Sequence, residues 1–205
     1  MIKIKICGLK RKEDIRYVNE LKPDYIGFVF ADSKRKVDKD TAKELKNLLD
    51  DDIMSVGVFV DEDINLVTEL VKDKVIDIVQ LHGNEDENYI RSLKDKLDND
   101  ATIIKAIKVK TREDIIEGIK YDVDYLLLDT YVENMVGGSG KEFDKSLIPD
   151  DMNDFFLAGG LNADNLKETI VNYHPFAVDL SSGVETDGVK DKDKIKQVID
   201  IVKSN

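Results

Sequence analysis

The chain predicts a (β/α)8 barrel of eight parallel strands in one compact domain spanning residues 1–205. Three observations carry that prediction. Strand-like and helix-like segments alternate from end to end. There are eight such repeats with no obvious reversal of direction. No linker rich in Pro, Gly or Ser, and no low-complexity stretch, interrupts the 205 residues. Parallel strands joined by helical crossovers form either an open doubly wound sheet or a closed barrel, and eight regular repeats favour closure.

The strands are expected at Ile2–Cys7, Tyr25–Phe30, Met54–Val60, Asp77–Leu81, Ile103–Ile107, Tyr125–Asp129, Phe155–Ala158 and Phe176–Leu180. They are rich in Ile, Val, Phe and Tyr, and several are nearly continuous apolar runs, as strands covered on both faces require. The first alternates strictly, Ile2-Lys3-Ile4-Lys5-Ile6, before Cys7-Gly8 ends it. Between the strands, apolar residues recur every three or four positions. Thr41-Ala42-Leu45-Leu48-Leu49, Ile64-Val67-Leu70-Val71, Ile90-Leu93-Leu97 and Ile195-Val198-Ile199-Val202 are the clearest helical stripes. Weaker ones lie at Ile15-Val18-Leu21, Ile115-Ile116-Ile119 and Leu166-Ile170. The sixth unit keeps only a short helix around Asp144–Leu147, after a glycine-rich loop.

Composition narrows the function. The formal charge is −12, with 43 acidic against 31 basic residues. Such a surface does not displace phosphate counterions, so no nucleic-acid partner is expected. No run nears the roughly 20 apolar residues that span a bilayer, and no signal segment opens the chain, so no membrane partner is expected either. The single cysteine fits a reducing, cytoplasmic compartment. Two histidines without Cys or carboxylate at ligand spacing predict no metal site. Oligomeric state is open between monomer and homodimer.

In a barrel of this kind, chemistry sits at the C-terminal ends of the strands and in the loops after them. That rule turns the strand list into candidates: Cys7 after the first strand, Arg35 after the second, His82 after the fourth, Asp129 ending the sixth and Asp179 near the end of the eighth. A lone cysteine is commonly an apolar core residue, but a position at the barrel mouth favours chemistry. A thiolate and a carboxylic acid can serve as base and acid, provided the thiol pKa is lowered and the carboxyl pKa raised. Asp129 could equally cap a turn. Arg35, in Ser33-Lys34-Arg35-Lys36, could grip a planar carboxylate through two parallel hydrogen bonds, while Lys34 and Lys36 are expected to be solvated. His82 is either a turn residue or part of the pocket wall.

Three late loops carry glycine and serine: Gly137-Gly138-Ser139-Gly140-Lys141, Gly159-Gly160-Leu161-Asn162 and Ser181-Ser182-Gly183. Any one of them could be an ordinary turn. Their convergence on the usual phosphate corner of a barrel makes Gly138, Ser139, Gly140, Gly159, Gly160, Ser181, Ser182 and Gly183 candidate phosphate-binding residues. The first loop is neither a P-loop nor a dinucleotide fingerprint. Glu142 stands where Ser or Thr is needed, and Phe143 where a third glycine belongs.

Together these segments resemble the phosphoribosylanthranilate isomerase family over the whole chain. The resemblance rests on Lys5-Ile6-Cys7-Gly8-Leu9, Gly27-Phe28-Val29-Phe30, Ser33-Lys34-Arg35, Val56-Gly57-Val58-Phe59-Val60, Val79-Gln80-Leu81-His82-Gly83, Leu127-Leu128-Asp129-Thr130, Gly137-Gly138-Ser139-Gly140, Ala158-Gly159-Gly160-Leu161-Asn162 and Val178–Glu185. It implies an Amadori rearrangement of a phosphorylated small molecule, N-(5-phosphoribosyl)anthranilate, in tryptophan biosynthesis, with no cofactor. It also implies Asp129 as general acid, Cys7 as general base, Arg35 at the anthranilate carboxylate and Asp179 near the anthranilate amine. Two departures stand out: Lys145 follows Phe143-Asp144 where the family usually has Trp, and the loop before Arg35 is about a residue short. Two other readings remain: a barrel isomerase acting on the histidine-pathway aldosamine, for which an aspartate in place of Cys7 is expected, and a catalytically silent barrel that binds without turnover.

Overall fold

A computed structural model describes residues 1–98, 101–130 and 144–204. Eight strands, β1 (Lys3–Cys7), β2 (Tyr25–Val29), β3 (Met54–Phe59), β4 (Ile78–Leu81), β5 (Thr102–Val109), β6 (Tyr125–Thr130), β7 (Phe155–Leu157) and β8 (Ala177–Leu180), pair in sequence order. All neighbours are parallel, and β8 returns to β1 to close the barrel, with Lys5 opposite Asp179. Each predicted strand forms, with ends that differ by one or two residues.

Seven helices among the described residues cover the outside: α1 (Lys12–Leu21), α2 (Lys39–Lys46), α3 (Ile64–Lys72), α4 (Glu87–Lys96), α5 (Arg112–Gly118), α6 (Leu166–Tyr173) and α7 (Lys192–Lys203). Several begin on an aspartate whose carboxylate accepts from the first-turn N–H groups: Asp38 from Thr41, Asp86 from Tyr89, Asp191 from Asp193 and Lys194. Such caps satisfy donors that the helix itself leaves open. The apolar stripes then bury against the strands, as with Val67 and Leu70 of α3 or Val198 and Val202 of α7. The short helix expected around Asp144–Leu147 is a single 3₁₀ turn, Lys145–Leu147. Three residues are too few to close an α-helical ladder.

One element was not anticipated. After β8, the strands β9 (Glu185–Thr186) and β10 (Val189–Lys190) form an antiparallel hairpin. Its two-residue turn is Asp187-Gly188, with φ of 51° and 76°. Positive φ at both positions marks the type I′ turn that suits strand twist, and Asp-Gly is a favoured pair for it.

The inside of the barrel changes character along its axis. Low in the barrel, Val56, Ile78, Ile104, Leu127, Phe156 and Ala177 pack together, with Tyr25, Tyr125 and Phe176 against them. Tyr125 and Phe176 stack with ring centroids 4.7 Å apart. Higher up, the same inward positions carry Lys5, Cys7, Gln80, Asp129 and Asp179. The alternation in β1 explains how. Ile4 and Ile6 face outward into the core beneath the helices, so Lys5 and Cys7 face inward. Lys5 is 0% exposed.

Candidate active site

A cavity of about 770 Å³, counting its open mouth, lies at the C-terminal ends of the strands. Its wall includes Cys7, Arg35, His82, Asp129, Asp179, Gly159, Gly160, Ser181 and Ser182. All five residues expected to act on substrate, and four of the phosphate candidates, therefore meet in one place. Gly183 is not part of that wall; a Cβ there would run into the carbonyl oxygen of Leu161, so the bare α-carbon lets the two loops pack. Gly138, Ser139 and Gly140 lie outside the described residues.

On the β1–β8 wall, Lys5 Nζ donates to Asp179 Oδ2 at 2.9 Å, and both groups are buried. The other oxygen, Asp179 Oδ1, is buried without a partner among the described residues. Two residues along β1, the Cys7 thiol sits against Gly27, where a Cβ would fall 2.6 Å from Sγ. Only a bare α-carbon on β2 leaves the sulfur its place. Burial pushes the Cys7 pKa up; the positive charges of Lys5 and Lys190 pull it down, but by less. A base role calls for a lowered thiol pKa; burial moves it the other way and favours the protonated thiol. The physical reason is desolvation, aided by the nearby Asp179 charge: removing a thiolate from water costs more than two lysines return when both are already paired, Lys5 to Asp179 and Lys190 to Glu185.

The opposite wall is wetter. His82 Nε2 lies 3.2 Å from Asp129 Oδ2, with side chains 12% and 14% exposed. The Gln80 amide nitrogen lies 2.9 Å from His82 Nδ1, which ties the imidazole to the end of β4. Asp129 Oδ1 accepts from the Thr130 N–H at 2.7 Å. The loop holding His82 is itself pinned by a buried pair. Lys105 Nζ reaches Glu85 Oε2 at 2.7 Å and the Gly83 carbonyl at 2.9 Å, while Glu85 accepts from the Gly83 and Asp61 N–H groups. His82 is therefore a pocket residue rather than a plain turn residue.

Arg35 approaches over Gly8. A Cβ on Gly8 would collide with the Arg35 side chain, and Gly8 has φ of 84°, a conformation that disfavours other residues. The Cys-Gly pair thus does two things, ending the strand and leaving a channel for the arginine. The guanidinium binds Glu185 side-on, Nε to Oε1 at 2.7 Å and Nη2 to Oε2 at 2.8 Å. Glu185 also accepts from Lys190 Nζ at 2.7 Å. Burial would raise the Glu185 carboxyl pKa, but the bonds from Arg35 and the charge of Lys190 outweigh it and hold it at about 2. Lys34 and Lys36 are exposed, as expected.

Three residues here escaped sequence reasoning: Lys5, Glu185 and Lys190. The Asp187-Gly188 turn was a usable signal for the hairpin that carries the last two. Nothing in the sequence marks Lys5 as buried.

The phosphate corner follows β7 and β8. Gly159 and Gly160 have φ of 85° and 69°, and their backbone N–H groups make no hydrogen bond among the described residues. The Gly160 carbonyl is occupied by the side-chain amides of Asn162 and Asn165. Ser181 Oγ donates to the Cys7 carbonyl at 3.0 Å, tying this corner to β1.

Comparison with known proteins agrees with this geometry. The family model for N-(5'phosphoribosyl)anthranilate (PRA) isomerase matches residues 4–201. An N-(5'-phosphoribosyl)anthranilate isomerase of Endomicrobium trichonymphae is 52% identical, the match covering all of both chains. Among solved structures, phosphoribosyl anthranilate isomerase from Thermotoga maritima superposes with a TM-score of 0.88 at 37% identity, over all of both chains. Another phosphoribosyl anthranilate isomerase, bound to reduced 1-(o-carboxyphenylamino)-1-deoxyribulose 5-phosphate, superposes at 0.84 with 33% identity, again in full. From its first strand to its last helix, this chain belongs to the N-(5'-phosphoribosyl)anthranilate isomerase family.

Proposed function

We propose that the protein isomerises N-(5-phosphoribosyl)anthranilate to 1-(2-carboxyphenylamino)-1-deoxyribulose 5-phosphate, with Asp129 as general acid and Cys7 as general base. The observation that carries this assignment is that Cys7, Asp129 and Asp179, from three different strand ends, line one cavity with Arg35.

Asp129 protonates the furanose oxygen; the bond from that oxygen to C1′ breaks as the nitrogen lone pair forms the Schiff base. The unpartnered Oδ1 of Asp179 is an acceptor suited to the N–H that becomes acidic at that moment. Cys7 then removes the C2′ proton, the electrons move toward nitrogen, and an enolamine results. Its tautomerisation to the ketone adds a proton at C1′ and releases one from the 2′ hydroxyl, so protons balance overall. The base form is a minority thiolate with Lys5 and Lys190 nearby, and a thiolate of raised pKa is correspondingly more basic. His82 Nε2, 3.2 Å from Asp129 Oδ2, gives the acid a polar neighbour on its own wall of the cavity.

Arg35 meets the anthranilate carboxylate, and the free N–H groups of Gly159 and Gly160 suit the phosphate. Gly138, Ser139, Gly140 and the serines Ser181 and Ser182 complete that corner in this reading.

Loss of anthranilate-type fluorescence on mixing purified protein with phosphoribosylanthranilate tests the proposal. Turnover is expected without added metal or nucleotide. Binding without turnover would instead make the protein a silent barrel. Faster consumption of the histidine-pathway aldosamine would reassign the substrate.

A further inference from the structure

Arg35 does not stand alone in the cavity wall. A guanidinium has five N–H donors. Glu185 takes Nε–H and one N–H of Nη2, the side-on edge. What is left is the end-on edge, one N–H from each terminal nitrogen, with a spare on Nη1. That edge is itself a fork able to take a second carboxylate in parallel geometry. Arg35 borders the cavity, whereas Glu185 is not among the residues lining it.

Charge poses a problem that Lys190 solves. An arginine neutralised by a buried glutamate would attract a carboxylate poorly. Lys190, nearly fully buried, donates to Glu185 Oε1 at 2.7 Å and to the Ser181 carbonyl at 2.9 Å. The cluster of Arg35, Glu185 and Lys190 therefore keeps one net positive charge. The hairpin β9–β10 holds it together, because Lys190 is paired in register with Glu185.

We infer that Glu185 is a positioning residue for substrate specificity: with Lys190 as its counter-charge, it holds Arg35 by the side-on edge so that the end-on edge receives the anthranilate carboxylate. This deepens the proposed function and rests on its reading of Arg35.

Two probes separate this role from a merely structural one. One is the reduced product analogue with its aromatic carboxylate; the other is the same molecule with a plain phenylamino group. The unmodified protein is expected to bind the first more tightly. The double variant Glu185→Gln, Lys190→Met keeps the net charge of the cluster at plus one and removes the fork that orients Arg35; it also removes the Lys190 bond to the Ser181 carbonyl, a loss that both analogues share. Its affinity for the carboxylated analogue should fall about tenfold, the usual scale of one charged hydrogen bond, with the plain analogue changed less than about twofold. If the double variant does not fold, Glu185→Asp, which shortens the fork at constant charge, is held to the same ratio. An equal loss for both analogues, or no loss for either, overturns the inference while leaving the Arg35 assignment intact. Tighter binding of the carboxylated analogue also overturns it, since Glu185 would then compete with substrate. If the unmodified protein shows no preference between the two analogues, the Arg35 reading fails and the inference falls with it.

Discussion

On the β1–β8 wall of the cavity the chemical groups are shut away from water and fixed by ion pairs; on the β4–β6 wall they keep contact with it. Lys5, Cys7 and Asp179 are all buried, and Lys5 and Asp179 are committed to one another. His82 and Asp129 are each more than a tenth exposed, with Nε2 and Oδ2 3.2 Å apart. The difference has a chemical consequence. A buried thiol is kept protonated by desolvation and becomes a strong base only as a rare thiolate. In the proposed reaction, an acid nearer solvent has water at hand from which to regain its proton. One cavity therefore offers two dielectric environments, one on each wall.

Four experiments would break or sharpen that contrast. Replacing either partner should cost most: Cys7→Ser and Asp129→Asn should each lower kcat by about a thousandfold, within the span of general acid–base catalysis. Steady-state assays on both variants check this, and near-normal turnover by either removes its role. Next comes the buried pair. Lys5→Met strands the Asp179 carboxylate in the interior, which should cost about 3–5 kcal/mol in denaturant unfolding. The double variant Lys5→Met, Asp179→Leu should recover much of that loss, though not activity. A smaller effect is expected of Gly27→Ala, whose methyl group must displace the Cys7 sulfur. It should cost about 1–3 kcal/mol and reduce turnover more than substrate affinity.

The mildest test is the titration of the thiol. Because burial raises the Cys7 pKa, the thiolate fraction should grow about tenfold per pH unit with no levelling below about pH 9. The rate of alkylation by iodoacetamide reads that fraction directly. A plateau near pH 7 would mean that Lys5 and Lys190 win over desolvation.

Much of this was legible from residues in order. The strand ends at Cys7, Asp129 and Asp179 could be placed at one mouth because eight βα repeats leave almost no other closure. The Gly159-Gly160 turn could be proposed for phosphate because it follows the seventh strand, where glycine lets the backbone approach a ligand closely. Less visible were contacts between segments distant in sequence. Arg35 and Glu185 are 150 residues apart, and Lys5 and Asp179 are 174 apart. Alternation in β1 looks the same whether its lysines face water or the inside of a barrel. The hairpin was hidden for a different reason: strands of two residues carry too little pattern to detect, although their Asp-Gly turn was in plain view.

By itself the sequence determined the periods of its strands and helices, the order of the barrel, and which strand ends carry a thiol, a carboxylate and a guanidinium. Local patterns suffice for that, because hydrophobic period and turn chemistry are properties of neighbouring residues. The tertiary structure alone decided that Cys7 is held protonated, that Lys5 is an interior cation and that Arg35 reaches the cavity already gripped by Glu185. Those outcomes depend on burial and on charge pairs made when the barrel closes, and desolvation has no value until the fold has excluded the water.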